Sequence, residues 1–389
     1  MCGFASAFSK HVITDHLELK IHEMNSLISH RGPDSKGYHR SNKYACAFSR
    51  LSIVDLDSRA DQPFQDPTGR YVLVFNGEIY NYVELRIELK KMGHDFVTQS
   101  DTEVLLNSFL AWGVDCVNKF EGMFAFAIYD RELVELLIFR DQLGIKPVYY
   151  TTIGDVFYIS SELKSFVKVH SIDLNLNKLV EYASCGSILG QETLFKNINE
   201  LEPGCYIRVD SNLNIRNHQY FNLGDTFNCS SKLPDVNELE EAISQSVARH
   251  MRCDVNYGTQ LSGGVDSSLI TAIAAIHRGE NQKKDLESFS VELDFPSLNE
   301  SRFQKIVSDQ YNTHHNRHVF GDKDIEEKLI KCIWMYDYPL HHPNIIPSYR
   351  MNEMAREKKL KVLLAGDGAD ELFAGYAWNF NDYSNLDVF

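Results

Sequence analysis

Long apolar runs are the first thing missing from these 389 residues. None approaches the roughly 20 residues that a membrane-spanning helix needs. The N-terminus also lacks a basic stretch leading into a hydrophobic one, so nothing reads as a secretory leader and the cytoplasm is the expected location. Cysteine pairs are absent too. The cysteines stand at 2, 46, 116, 185, 205, 229, 253 and 332, and none has Cys-x-x-Cys spacing. That argues against a structural zinc site and for reduced thiols. Positive charge is scarce, with 39 Lys and Arg against 54 Asp and Glu and a formal net charge of −15. Such a balance excludes a general nucleic-acid surface, which needs clustered cations. Nucleotides stay open, because they bind through backbone amides and a few cations. No internal repeat and no low-complexity tract is present.

What is present is apolar material, 43% of the residues, enough for two domains with their own cores. The first half is strand-rich. Apolar, β-branched and aromatic runs recur at Cys46–Val54, Tyr71–Phe75, Phe124–Tyr129, Val134–Phe139, Val148–Thr152 and Val156–Ile159. Two helices are expected among them. Asn81–Met92 sets Tyr82, Leu85, Leu89 and Met92 on one face, and Ser100-Asp101-Thr102-Glu103 reads as a capping box opening a helix that aligns Leu105, Phe109 and Trp112. Sheets with few helices predict an α+β layered domain. The polar stretch 222–235 is the expected linker. Beyond it the pattern alternates: helix Val236–Met251, strand Val255–Leu261, helix Asp266–Ile276, strand Glu287–Glu292, helix Glu300–Gln310, two further helices and strand Lys361–Ala365. Alternation predicts a parallel sheet with helices on its faces.

Chemistry-bearing residues gather in both halves. Removal of Met1 would leave Cys2 with a thiol and a free α-amine, and that amine can serve as the thiol's own base. A thiolate attacking a carboxamide also needs an oxyanion hole and clamps for the substrate. Asn76-Gly77, after the strand Tyr71–Phe75, offers a side-chain amide and a backbone N–H as paired donors. Arg50, at a strand end, can fork onto a carboxylate, while Glu78 and Asp101 can hold an ammonium group. Taken singly, each has a plainer reading: a small buried thiol, a tight Asn-Gly turn, a surface ion pair, an aspartate favouring a helix dipole.

In the second half, Leu261-Ser262-Gly263-Gly264-Val265-Asp266-Ser267-Ser268 follows an apolar strand and opens a helix. The glycines let backbone amides approach phosphate oxygens, the hydroxyls add donors, and the helix N-terminus adds partial positive charge. Asp266 would repel phosphate unless a cation intervened, so it reads as a Mg²⁺ ligand. No Lys-Ser or Lys-Thr follows the glycines, which disfavours a P-loop and γ-phosphate transfer. Gly366-Asp367-Gly368-Ala369-Asp370-Glu371 adds carboxylates after a strand, where open α/β sheets place ligands. Its plainer reading is a turn with helix-capping aspartates.

In order, Cys2-Gly3-Phe4, His30-Arg31-Gly32-Pro33-Asp34, Arg50-Leu51-Ser52-Ile53-Val54-Asp55, Gln62-Pro63, Phe75-Asn76-Gly77-Glu78-Ile79-Tyr80-Asn81, Ser100-Asp101-Thr102-Glu103, Phe120-Glu121-Gly122-Met123-Phe124-Ala125 and Arg140-Asp141-Gln142-Leu143-Gly144-Ile145-Lys146-Pro147 form one set. They resemble the glutaminase domain of N-terminal-nucleophile (class II) glutamine amidotransferases over nearly all of residues 2–210. The resemblance implies an αββα domain over 2–221. It makes Cys2 the nucleophile with its own amine as base, and Asn76 and Gly77 the oxyanion hole. Arg50, Glu78 and Asp101 would grip glutamine's α-carboxylate and α-amine.

The loop at 262–268, Ser288-Phe289-Ser290-Val291, His314-His315, Asp337-Tyr338-Pro339 and the run 365–376 resemble the Rossmann-like ATP-pyrophosphatase domain of asparagine synthetases. Placed over 236–389, this domain would set Leu261 and Val291 beside adenine and hold pyrophosphate with Ser262, Gly263, Gly264 and Ser267. Asp266 and Asp370 would bind Mg²⁺, and Gly366, Asp367 and Glu371 would lie near the acyl-adenylate, Gly366 also on the ATP side. The implied reaction hydrolyses glutamine and uses the ammonia to amidate ATP-activated aspartate, giving asparagine, AMP, pyrophosphate and glutamate. The implied partners are therefore glutamine, aspartate and ATP. Family members continue past Gly375-Tyr376 into a further helical region that supplies a lysine. The tail Asn379–Phe389 has no helix periodicity, so the second domain is expected to be incomplete at its C-terminus. A second chain supplying the helices, or a homo-oligomer, is the expected assembly. Two alternatives stand beside this reading: an amidotransferase acting on another adenylated carboxylate, and a glutaminase-only or regulatory protein.

Overall fold

Gly3-Phe4-Ala5-Ser6-Ala7-Phe8-Ser9 has two unlike faces, and they explain the first half of the molecule. In the computed structural model, which describes residues 1–228, 235–279, 286–293, 299–342 and 344–376, this segment is the buried strand β1 (Gly3–Ser9). Phe4 and Phe8 face one way and Ala5 and Ala7 the other, as the period of two requires. α1 (Asp15–Leu27), β2 (Ser35–Arg40) and β3 (Tyr44–Arg50) follow. Next come β4 (Phe64–Gln65), β5 (Tyr71–Ile79), α2 (Tyr82–Lys91), α3 (Asp101–Trp112), β6 (Gly122–Asp130), β7 (Glu135–Arg140), β8 (Tyr149–Ile153) and β9 (Val156–Ser160). After these, α4 (Leu176–Cys185), β10 (Asn199–Glu200), β11 (Cys205–Val209) and β12 (Ile215–Gln219) close the run.

Two six-stranded sheets form, ordered β10-β8-β9-β1-β3-β2 and β12-β11-β7-β6-β5-β4. Phe4, Phe8, Tyr44 and Phe48 of the first pack onto Val72, Val74, Ala125 and Ile138 of the second. Burying each such phenylalanine contributes about 1.5–3 kcal/mol. The alanine face of the first sheet admits α1 closely, with Ile21 and Met24 against Ala5, Ala7, Ala45 and Ala47. On the outer face of the second sheet, Leu85, Leu89 and Leu105 of α2 and α3 cover Leu73, Phe75 and Phe126. The four layers are the αββα arrangement expected from sequence.

The chain divides into two units, Met1–Lys232 with Tyr336–His341, and Leu233–Met335 with His342–Phe389. The second contains α5 (Val236–His250), β13 (Tyr257–Gln260), α6 (Val265–Arg278), β14 (Glu287–Leu293), α7 (Ser301–Tyr311), β15 (His314–Phe320), α8 (Asp322–Tyr336), α9 (Ile345–Glu357), β16 (Val362–Leu364) and α10 (Ala369–Phe373). Its four strands are parallel, in the order β15-β14-β13-β16. From β13 the chain runs outward to β14 and β15, then returns to β16 on the other side, so the strand order reverses between β13 and β16. Open α/β sheets bind ligands at such a reversal, beyond the carboxyl ends of the strands.

Several local expectations are corrected. Ser100 does cap α3, accepting from the Thr102 N–H at 3.1 Å. Glu103 does not complete a capping box. It accepts instead from the N–H groups of Val97 at 2.9 Å and Thr98 at 2.7 Å, because the turn before the cap curls over the helix start and offers closer donors. Met92 leaves the buried face of α2, standing 51% exposed just after the helix ends at Lys91. The parallel edge strand β15 went unexpected, its polar sequence carrying no apolar pattern. Of the linker expected at 222–235, residues 229–234 lie outside the described residues, as does the tail Asn379–Phe389.

Candidate active sites

Cys2 lies where β1 begins, next to the pairing of Gly3 with Ser49 on β3. Its thiol meets the backbone of Leu51, with Sγ 3.4 Å from the Leu51 nitrogen and 3.6 Å from its carbonyl oxygen. Arg31 Nε donates to the Cys2 carbonyl at 2.7 Å, and Arg31 is held in turn by Glu162 at 2.9 Å. His30 also reaches Glu162, at 3.0 Å. Burial alone would raise the Glu162 carboxyl, but the His30 hydrogen bond and the charges of Arg31 and Lys164 hold it at about 2. That anchored anion fixes Arg31, and Arg31 fixes the first residues of β1. Burial pushes the Cys2 thiol up, and the adjoining amino terminus and the Leu51 amide pull it back. The terminal amine, here on Met1, is lowered by burial to about 5.

β5 delivers the next group. Asn76 is fully buried, and neither Oδ1 nor Nδ2 has a hydrogen-bond partner. An orphaned amide is uncommon, because leaving one unpaired costs about 1–3 kcal/mol. Gly77 faces Phe124 on β6, where a Cβ would stand 2.2 Å from the Met123 carbonyl oxygen, so only glycine fits. Gln62 ties down the strand just ahead of Asn76: the Phe75 N–H donates to Gln62 Oε1 at 2.6 Å, and Gln62 Nε2 returns a bond to the Phe75 carbonyl at 3.1 Å.

Glu78 and Asp101 are brought together. Burial raises the Glu78 carboxyl well above its usual range and the neighbouring Asp101 charge adds to this, against the pull of Lys146 and the amino terminus. Burial likewise raises Asp101, although the Ile79 N–H donates to its Oδ2 at 3.1 Å. Two carboxylates, Asp101 buried and Glu78 partly buried, close enough for the charge of one to raise the other, define a place for a cation. Arg50 lies close enough to lower the Cys2 thiol, yet its guanidinium is occupied. It donates to Asp61 at 2.7 Å, to the Asp57 carbonyl at 3.0 Å, and to the carbonyls of Val54 and Asp55. It therefore shapes the 51–61 loop in addition to standing at the site.

Four supporting residues escaped the sequence reading. Arg31 and Glu162 anchor the Cys2 backbone. Buried Arg86 donates to the carbonyls of Thr98 at 2.7 Å and Ser100 at 2.9 Å, fixing the approach to Asp101. Lys146 is 3% exposed, inside the Arg140–Pro147 motif. The available signal was charge placed within otherwise apolar or turn-forming motifs.

In the second unit the loop after β13 and the loop after β16 flank the strand reversal. Leu261 is fully buried and donates its N–H to the Phe289 carbonyl at 2.8 Å, so it can offer a ligand only backbone. Val291 is partly buried on β14, paired with His318. Gly263 has φ +100°, and a Cβ there would stand 2.9 Å from the Glu300 carbonyl oxygen. The Ser262 and Ser267 hydroxyls bond each other at 2.8 Å, so the loop closes on itself where free donors were expected. Gln304 on α7 supports it from below, donating to the Ser262 carbonyl at 2.8 Å and accepting from Ser290 at 3.1 Å.

Gly366 packs so closely on α6 that a Cβ would be 2.9 Å from Asp266 Cβ. This contact brings the two acidic segments together. Burial raises the Asp266 carboxyl and the Asp370 charge adds to it. Asp367 and Glu371 are exposed, and Glu371 accepts from the Tyr376 hydroxyl at 2.7 Å. No group of three or more His, Cys, Asp or Glu side chains disposed to hold a metal occurs among the described residues. No described helix is long and apolar enough to cross a membrane.

An αββα unit with cysteine at position 2 and an orphaned buried amide on β5 is the arrangement of an N-terminal-nucleophile amidotransferase domain, and residues 1–221 match the family model described as glutamine amidotransferase domain. Residues 238–389 match the model described as asparagine synthase. The chain is 38% identical to asparagine synthetase [glutamine-hydrolyzing] 1 of Bacillus subtilis, over 97% of this chain and 59% of that protein. It is 34% identical to asparagine synthetase B [glutamine-hydrolyzing] of Escherichia coli, over 97% of this chain and 65% of that protein. A Methanocaldococcus jannaschii relative is 36% identical over 98% of this chain and 77% of its own length. The chain belongs to the glutamine-hydrolysing asparagine synthetase family. It spans about three fifths of the length of the B. subtilis relative.

Proposed function

We propose that the protein is a glutamine-dependent asparagine synthetase of the cytoplasm, with a glutaminase domain at 2–221, a linker at 222–235 and an ATP-pyrophosphatase domain at 236–389. The observation that carries this reading is the buried, unbonded amide of Asn76, on the same strand as Glu78, whose charge acts on Cys2. A donor kept dry and unpaired is suited to an oxyanion that exists only during the reaction.

With Met1 removed, the Cys2 amine takes the thiol proton and the thiolate attacks the carboxamide carbon of glutamine. Asn76 and the Gly77 N–H receive the oxyanion, the amine passes its proton to the departing ammonia, and water hydrolyses the thioester to glutamate. Glu78 and Asp101 receive the α-ammonium, which would relieve the mutual repulsion of their buried carboxylates. Arg50 takes the α-carboxylate by exchanging its bond to Asp61, whose side chain is 32% exposed.

In the second unit the aspartate β-carboxylate attacks the α-phosphorus of ATP, and pyrophosphate leaves against Ser262, Gly263, Gly264 and Ser267. Ammonia then attacks the acyl carbon of β-aspartyl-AMP and AMP departs. Leu261, through its backbone, and Val291 flank the adenine, and Gly366, Asp367 and Glu371 border the acyl-adenylate. Asp266 and Asp370 suit Mg²⁺, which takes one or two carboxylates together with substrate phosphates, and bound there it would neutralise charge on the departing pyrophosphate.

The test supplies amide-labelled glutamine, ATP, Mg²⁺ and aspartate and follows glutamate, AMP and labelled asparagine. All three products are expected. Cys2→Ala should abolish glutamine use and leave ammonia-dependent AMP formation intact. Glutamate without AMP refutes the synthetase half, and activity indifferent to Cys2→Ala refutes the nucleophile.

A further inference from the structure

The Arg140–Pro147 loop is built with unusual care for a segment that carries no assigned role. Asp141 accepts the N–H groups of Phe124 and Leu143 at 3.1 Å and those of Ile145 and Lys146 at 2.9 Å. Arg140 donates to the Lys146 carbonyl at 3.1 Å and to the Gly144 carbonyl at 2.7 Å. Gly144 turns at φ +68°. The product of this scaffold is one buried side chain. Lys146 Nζ stands 2.8 Å from the Met1 thioether, a weak acceptor for an ammonium group. Its charged neighbours are Arg31, Glu78, Asp141 and Cys2, together with the amino terminus. The other cations near the thiol are engaged, Arg31 by Glu162 and the Cys2 carbonyl, Arg50 by Asp61 and loop carbonyls. When Met1 leaves, Lys146 is the cation whose partner has been removed.

We propose that Lys146 is a positioning residue of the glutaminase centre, an ammonium that replaces its Met1 contact by holding the Cys2 sulfur and the Glu78 carboxylate in their charged forms. This rests on the reading of Cys2 as nucleophile. Burial lowers the Lys146 ammonium to about 8, opposed by the charge of Glu78, so removing nearby anions should make its proton still easier to lose.

The experiment compares wild type, Lys146→Met, Lys146→Gln and Lys146→Arg, each with Met1 removal verified by intact mass and folding by circular dichroism. Iodoacetamide alkylation of Cys2 is followed from about pH 5 to 10 by peptide mass spectrometry. In the two neutral variants the alkylation limb should move up by about one pH unit, with the rate at pH 7 falling roughly tenfold. Lys146→Arg should keep the wild-type limb. A folded neutral variant with an unchanged limb overturns the proposal. In wild type, NMR titration of ¹³C-labelled lysine should show the Lys146 pKa falling once Cys2 is carbamidomethylated, and a resonance indifferent to that change overturns it even where the neutral variants fail to fold. Wild type that does not hydrolyse glutamine would instead sink the nucleophile reading, so the two failures are distinct.

Discussion

Asn76 is where the proposed glutaminase centre is most directly testable, because its amide contributes nothing to stability that the fold can use. Each atom of that amide is dry and unpaired in the resting protein. Asn76→Ala should therefore leave Tm unchanged or raised, since it removes a desolvated polar group. The same change should lower kcat/KM for glutamine about 10²- to 10³-fold, the range seen when one oxyanion donor is removed. A fall in Tm with catalysis intact would mean the amide has a structural partner. Cys2, Asn76, Glu78 and Asp101 are candidates that sequence alone can name, because each sits in a short motif. Arg31 and Glu162 were not, since they meet across 131 residues and their contact exists only once β1 and the end of β9 are paired. Lys146 stands inside a motif, but nothing in linear sequence says that its ammonium is buried.

Helices with one apolar face and strands with a run of large apolar residues could be read from the chain, and strands made of small or polar residues could not. The runs at Tyr71–Phe75 and Phe124–Tyr129 became β5 and β6, longer than expected but in place. β1 is buried on both faces with small residues on one, so it shows neither alternation nor a long apolar run. The 262–268 loop is the strand–turn–helix that its sequence predicts, yet the sequence does not tell that its hydroxyls satisfy each other. Gly263 tests that element. At φ +100° an alanine is strained, by about 1–2 kcal/mol for a left-handed L-residue, and its Cβ would press on the Glu300 carbonyl. Gly263→Ala should raise the Kd for ATP at least about tenfold by calorimetry, while glutamine hydrolysis in the first unit holds its rate. An unaltered Kd would remove the loop from the nucleotide site.

At the scale of the whole molecule, each unit has its own core, so each should carry its own response to acid. In the second unit, His315 spans Ser288 at 2.9 Å and Ser290 at 3.2 Å, next to the Gln304 side chain that supports the 262–268 loop. Burial, helped by the charges of Arg317 and His314, lowers this imidazole to about 4 against an ordinary 6.5. A base whose folded value is depressed stabilises the fold above the unfolded value, and that stability is lost as pH falls from 6.5 through 4. His250 is lowered by burial too and acts in the same direction. In the first unit Glu162, held at about 2 against 4.5, loses its contribution only from 4.5 downward, while the raised Glu78 and Asp101 favour the fold as they protonate. His39, lowered by burial, offsets part of that gain, as does the Met1 amine, lowered to about 5, wherever Met1 is retained. Between about pH 7 and 5 the calorimetric transition of the second unit should therefore move down relative to the first, by about 2–4 °C per kcal/mol lost. His315→Gln retains a hydrogen-bonding side chain without a titrating ring, so it should remove most of that shift and leave the first transition where it was. If both transitions moved together in wild type, or if His315→Gln changed nothing, the acid response would belong to groups other than this imidazole.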